Sequence, residues 1–175
     1  LIPFPTPADA DKFFKGDDAI GGMYEHRLHR LVSRDIGSSL RHEFFHVMHY
    51  GHMERLGQSH PLWIQEGMAS LYEDYDLGND GSITFLANDR QYVVRNRAKA
   101  GLLVKWDTLM TTNAEQFMEK AQELYPQVRS IFEFVADQRK LEAWYAAYVK
   151  TFDDDRTSRR AFEIAFDMPV KDIER

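Results

Sequence analysis

His42-Glu43-Phe44-Phe45-His46 sets two histidines four residues apart, with a glutamate beside the first. In a helix, positions i and i+4 lie one turn apart on the same face, so both imidazoles can reach a single tetrahedral ion. Glu43 is rotated by about 100° from His42 around such a helix, which sets its carboxylate beside the ion rather than on it. A general base for metal-activated water belongs there. The chain has no cysteine, which removes disulfides, thiolate catalysis and cysteine metal sites and leaves histidine and carboxylate as ligands. Of the 7 histidines, five fall between His42 and His60.

A catalytic zinc takes three protein ligands and keeps one position open for water. The third ligand is expected from a different element, and Glu66 in Trp63-Ile64-Gln65-Glu66-Gly67-Met68-Ala69 is the candidate. The 19 residues between His46 and Glu66 are enough to finish one helix, turn, and enter a second. Gly67 and Ala69 are small, as a close approach of two helices requires.

Together, His42-Glu43-x-x-His46 and Trp63-x-x-Glu66-Gly67-x-Ala69 resemble the gluzincin metallopeptidases, especially the aminopeptidase N type and the small bacterial peptidase-MA-like domains. The resemblance implies a zincin-like fold, a zinc ion, and hydrolysis of peptide bonds. Glu73 falls seven residues beyond Glu66, as an acidic residue does in that family; it is expected either to orient a zinc-bound imidazole through its second N–H or to be a solvated carboxylate. Tyr125, in Leu-Tyr-Pro-Gln-Val-Arg, looks like the family's tyrosine that opens a helix and stabilises the oxyanion. Its alternative is plain packing at a helix start. Arg160 to Phe166 is similar to the C-terminal helix of the peptidase-MA-like group.

The aminopeptidase signature G-x-M-E-N, which supplies a carboxylate for a free amino terminus, is not present. Gly21-Gly22-Met23-Tyr24-Glu25 has only a superficial likeness to it and stands close to His42, with Glu25 a weak substitute. Gly22 and Tyr24 are instead the candidate substrate-binding positions, because an edge strand beside a zinc helix can take an extended peptide by strand addition. The metzincin pattern would recruit His52, but its turn-making glycine is replaced by His49. In a continuous helix His52 points about 80° away from the His42 face. His49 reads as a neighbour of the site or a surface histidine. Asp76 to Gly81 lacks the twelfth-position Glu of a calcium loop and reads as a turn. Asp153-Asp154-Asp155 reads as a solvated cap.

The elements that must position these residues are mostly helical. Asp35 or Ser38 is expected to cap a helix whose apolar stripe is Leu40, Phe44, Val47 and Met48, ending near Gly57. A second helix runs from Ser59-His60-Pro61 to about Tyr75. Ile20 to Ser33 reads as a β-hairpin turning near Glu25 to Arg27. The stretch to Asp18 is expected to be extended or irregular chain that joins an edge of the fold. Helices follow over Asp89 to Ala100, Ala114 to Leu124, Pro126 to Gln138, Leu141 to Thr151 and Ser158 to Phe166, with a last turn opened by Pro169. Phe132, Trp144, Tyr145 and Tyr148 read as core. The fold class is α+β, with a small antiparallel hairpin ahead of the metal-binding helix.

The chain has 175 residues, 43% of them hydrophobic, enough for a single core, and 1–175 is expected to be one domain. The net charge of -6 is spread along the sequence, without a nucleic-acid footprint. No apolar run reaches the roughly 20 residues of a membrane-spanning helix. The start at Leu1 and the stop at Arg175 read as a processed chain or excised domain, compatible with secretion or the cell envelope if a targeting segment lies elsewhere. Compartment and oligomeric state stay open. The function expected is a zinc-dependent peptidase acting on a peptide or protein, with Glu43 as general base. The alternatives are a zinc-retaining, catalytically silent peptidase-like module, against which an intact Glu43 argues, and a metal-free helical domain.

Overall fold

The computed structural model of the chain describes residues 2–4, 6–16 and 20–175. It is mostly helical with small sheets, an α+β arrangement, and it divides into two compact units.

The first unit comprises Leu1–Gly57 and Ala69–Leu86. In the opening segment strand β1 (Ile2–Pro3) is extended chain at a sheet edge, as expected, whereas helix α1 (Pro7–Phe13) stands where extended or irregular chain is expected; the Thr6 side chain accepts from the Asp9 N–H and caps α1. Local spacing explains the helix, because Ala10 and Phe14 lie one turn apart and both bury. Residues 1, 5, 17 and 18 of that stretch lie outside the described residues. The hairpin is present as β2 (Gly22–Glu25) and β3 (Arg30–Ser33), joined by a 3-10 turn over His26–Leu28 that His29 closes with φ 45°. β2 and β3 pair antiparallel, Gly22 with Ser33 and Tyr24 with Leu31, and β1 pairs parallel to β3, so the order is β1-β3-β2. Successive side chains alternate faces. Met23 and Val32 therefore join Ala10, Phe14, Phe4 and Phe13 in a small apolar core, while Gly22 and Tyr24 face the other way.

Helix α2 (Ser38–Leu56) carries the histidine pair and stops at Gly57, whose φ of 64° suits glycine. Gly37, rather than Asp35 or Ser38, occupies the N-cap; the Asp35 carboxylate accepts from the Gly37 N–H at 2.6 Å. The expected apolar face is also revised. Residues buried on α2 are His42, Glu43, His46, His49 and Met53, whereas Phe44 and Met48 are 55% and 62% exposed. Two stripes at helical spacing compete on this helix, and the polar one is buried because its groups find partners there.

Helix α3 (Leu62–Leu71) is shared, with Ala69 to Leu71 in the first unit and Leu62 to Met68 in the second. It ends four residues earlier than the expected Tyr75. Asp76 to Gly81, read as a turn, belongs to a second hairpin, β4 (Tyr75–Leu77) and β5 (Ile83–Phe85). The Asp80 carboxylate is taken by the Ser82 N–H at 3.0 Å, a turn-closing bond.

The second unit, Gln58–Met68 with Ala87–Arg175, adds α4 (Asp89–Lys99), α5 (Trp106–Met110), α6 (Ala114–Glu119), α7 (Ala121–Asp137), α8 (Leu141–Thr151), α9 (Arg159–Phe166) and α10 (Val170–Ile173). Its core is aromatic. Phe132 stacks on Trp63 and meets Trp144 edge-on, and Trp144 stacks on Tyr148 while donating its indole N–H to Ser158 Oγ at 2.9 Å. Phe132, Trp144 and Tyr148 are buried as expected, and Tyr145 is half-buried. The break between α6 and α7 falls at Lys120, not before Pro126, which lies inside α7. In the second turn a proline removes only one helical bond. Among the described residues no helix is long and apolar enough to cross a membrane.

Candidate metal centre

His42 and His46 lie one turn apart on α2 with their Nε2 atoms 3.1 Å from each other. Two nitrogens bound at about 2.05 Å to one tetrahedral ion stand roughly 3.3 Å apart. The separation suits two imidazoles sharing one ion, and it is equally that of an N–H···N hydrogen bond between the two rings. The tautomer is set from behind: His42 Nδ1 donates to Glu73 Oε1 at 2.9 Å, leaving the Nε2 lone pair facing His46. Glu66 supplies the third group. One ligand atom from each of His42, His46 and Glu66 lies within 4.8 Å of the others. The donor set, two imidazoles and a carboxylate without sulfur, fits zinc with a position left for water. All three residues are less than 10% exposed.

Glu43 is also buried and lies against β2. A Cβ placed on Gly22 would stand 2.6 Å from Glu43 Cγ and 3.1 Å from the Val32 carbonyl, so only glycine lets the strand come this close. Tyr24, two residues on and on the same face, packs its ring 5.8 Å from Tyr50 and shares a 3.4 Å hydrogen bond with His26 Nδ1. His26 stacks on Tyr50 and donates from Nε2 to Glu54 Oε1 at 2.9 Å. β2 is the edge of its sheet, with β3 on one side. Glu25 pairs with Arg30 across the hairpin, a bond that raises the arginine's pKa and engages the carboxylate.

Glu66 is held by the packing of α3 within the second unit. Gly67 lies against α7, where a Cβ would come 2.5 Å from the Phe132 ring and 3.2 Å from Val128 Cβ. Gln65 donates to the His60 carbonyl at 2.6 Å, and Gln58 ties His60 Nε2 (3.0 Å) to the Val149 carbonyl of α8 (2.9 Å). Tyr125 does not open a helix. It sits within α7, its ring 5.3 Å from Phe117 and under the Arg90 guanidinium. It does share the α7 face of Val128 and Phe132, at i+3 and i+7, on which Gly67 rests.

No family model matches the chain, and no curated protein or solved structure is significantly similar to it.

The remaining histidines stay apart from the ligand set. α2 is continuous through His49, which is buried with its ring 5.4 Å from Phe45, and His52 is not among the converging groups. Glu73, expected on a helix, lies instead in the turn after α3. Sequence reasoning missed the groups that hold this turn. Arg41 Nε donates to the Glu73 carbonyl at 2.7 Å, and Ser38 Oγ donates to Asp74 Oδ1 at 3.0 Å. Tyr72 stacks on Phe45, and burial raises its phenol pKa, with Tyr75 adding. The one available signal was position: Ser38 and Arg41 lie just ahead of His42 and can reach whatever packs against the start of α2.

Proposed function

We propose that this chain is a zinc-dependent metallopeptidase of the gluzincin type, with His42, His46 and Glu66 as ligands and Glu43 as general base. The observation that carries the reading is the convergence of these three side chains, with a carboxylate fixing the tautomer of the first. A zincin-like fold accords with a small sheet lying against the histidine-bearing helix.

Bound zinc would supply Lewis acidity, polarising a peptide carbonyl and bringing the pKa of water near 7. The rest falls to the chain. Glu43 takes the proton of the attacking water and returns it to the leaving amine as the C–N bond breaks. Gly22 keeps β2 against the Glu43 side chain and so limits its rotamers. The free edge of β2, Gly22 to Tyr24, offers main-chain groups to an extended peptide. The Tyr125 phenol is the candidate donor to the developing oxyanion.

The test is zinc content together with cleavage of a mixed peptide library. About one zinc per chain is expected, with cleavage by the wild type and a loss of about 10²–10⁴-fold in Glu43→Gln at unchanged zinc content. His46→Ala should lose both. Equal activity in Glu43→Gln overturns the assignment of the base. Zinc retained without any cleavage favours a silent binding module, and absence of zinc from the wild type removes the metal reading.

A further inference from the structure

We infer that Arg41 is a positioning residue for the metal centre, acting through Glu73 on His42; this rests on the zinc reading of His42, His46 and Glu66. Glu73 fixes His42 from behind, yet it is not on a helix. α3 ends at Leu71, and the backbone then relaxes through two shorter bonds, Tyr72 N–H to the Ala69 carbonyl at 3.1 Å and Glu73 N–H to the Ser70 carbonyl at 3.4 Å. A residue past a helix end has lost the ladder that would fix its φ and ψ. Its carboxylate is nonetheless buried and aligned on His42 Nδ1 at 2.9 Å. Something else must hold the turn.

Arg41 supplies that hold with the planar fork of its guanidinium. Nε donates to the Glu73 carbonyl at 2.7 Å, while Nη2 donates to Ser38 Oγ at 3.3 Å and lies 3.5 Å from Asp74 Oδ1. The Ser38 hydroxyl reaches the same Asp74 oxygen at 3.0 Å, and the guanidinium lies over the Tyr75 ring at 5.8 Å. Residues 73 to 75 are thus gripped at a carbonyl, a carboxylate and a ring from the first turn of α2. His42 is the next residue of that helix. The clamp and the ligand share one rigid element, so the Glu73 carboxylate is set relative to the imidazole it must orient. Lysine cannot replace this grip, because a single ammonium does not present the fork that spans a carbonyl and a carboxylate at once.

Zinc affinity, measured by competition with a chromogenic chelator on the full chain, tests the inference. Arg41→Ala should weaken zinc binding by about tenfold, the scale of losing an outer partner of a metal-bound histidine. Arg41→Lys should recover only part of the loss. Because Arg41 acts through Glu73, Arg41→Ala should cost nothing further in a Glu73→Ala background. A merely structural arginine would give additive losses in the double variant, and that result, or an Arg41→Ala affinity equal to the wild type, overturns the proposal. If Arg41→Ala does not fold, Ser38→Ala takes its place in the same comparison. A wild-type chain that binds no zinc removes the parent reading itself and this inference with it.

Discussion

Under the proposed function, Glu43 and Gly22 tie the chemistry to single atoms. The methyl group of Gly22→Ala would fall within 2.6 Å of Glu43 Cγ and 3.1 Å of the Val32 carbonyl, so the carboxylate or the strand must move. A displacement of about 1 Å at a catalytic group can cost on the order of 10²-fold. The expected outcome is a fall in kcat with zinc content retained, which peptide kinetics and metal analysis together would show; an unchanged kcat places Glu43 outside the chemistry. Tyr125→Phe removes one hydroxyl from an interior helix position. If its phenol meets the oxyanion, kcat should drop by about 10²–10³-fold with stability nearly unchanged. If it only packs, both quantities stay put.

The candidate ligands stand on two helices, α2 and α3, and α3 is set by a close approach. α3 meets α7 through Gly67, where a Cβ would overlap the Phe132 ring. Gly67→Ala gains about 1 kcal/mol in helix propensity, yet overpacking a well-filled contact costs about 1–3 kcal/mol. We expect net destabilisation in urea titration and weaker zinc binding, since Glu66 precedes this position. A stabilised variant with normal zinc affinity would show that the contact has slack. α2 gives a contrast. Leu40, Arg41, Phe44 and Val47, with Tyr24, His29 and Leu31 of the hairpin, line a largely apolar pocket of about 520 Å³. Phe44→Ser should leave stability within about 0.5 kcal/mol, as exposed positions do.

Across the whole molecule, pH acts on the fold through titrating groups of α8 and the segment that follows it. Burial pushes the Tyr145 phenol up to about 12, and it raises Tyr148 as well, with Asp155 and Tyr145 adding and Arg156 opposing. An unfolded tyrosine titrates near pH 10. Because the folded pKa is the higher one, this stability is fully present below pH 10 and is lost as pH rises through about 12. Asp155 works in the opposite direction. Its burial, which raises the pKa, is outweighed by bonds from the Thr157 hydroxyl and the Arg160 and Thr157 N–H groups, with Arg159 adding, so the carboxyl is lowered overall. Its contribution is present above the ordinary carboxylate pKa and lost as pH falls through the folded one. Denaturation midpoints read against pH should decline at both extremes. Tyr145→Phe should flatten the alkaline side, and an unaltered slope would separate that tyrosine from it.

Local spacing by itself determined the helical course of α2, the place of His42, Glu43 and His46 on it, the β2–β3 hairpin and most helices of the second unit. These follow from period and from capping chemistry, which act within a few residues. The same rules erred where two local signals competed. On α2 an apolar stripe and a histidine stripe both had helical spacing, and only packing against other elements chose the one to bury. Pro126 signalled a boundary, yet α7 runs through it, because its burial in the helix core outweighs one missing bond. Glu66 was named from type and distance along the chain, whereas the nearness of its carboxylate to the two imidazoles, within 4.8 Å, belongs to the folded chain. Arg41 and Ser38 were signalled only by their place ahead of His42, since their partners, Glu73 and Asp74, lie more than 30 residues away and only the folded chain brings a guanidinium to that turn.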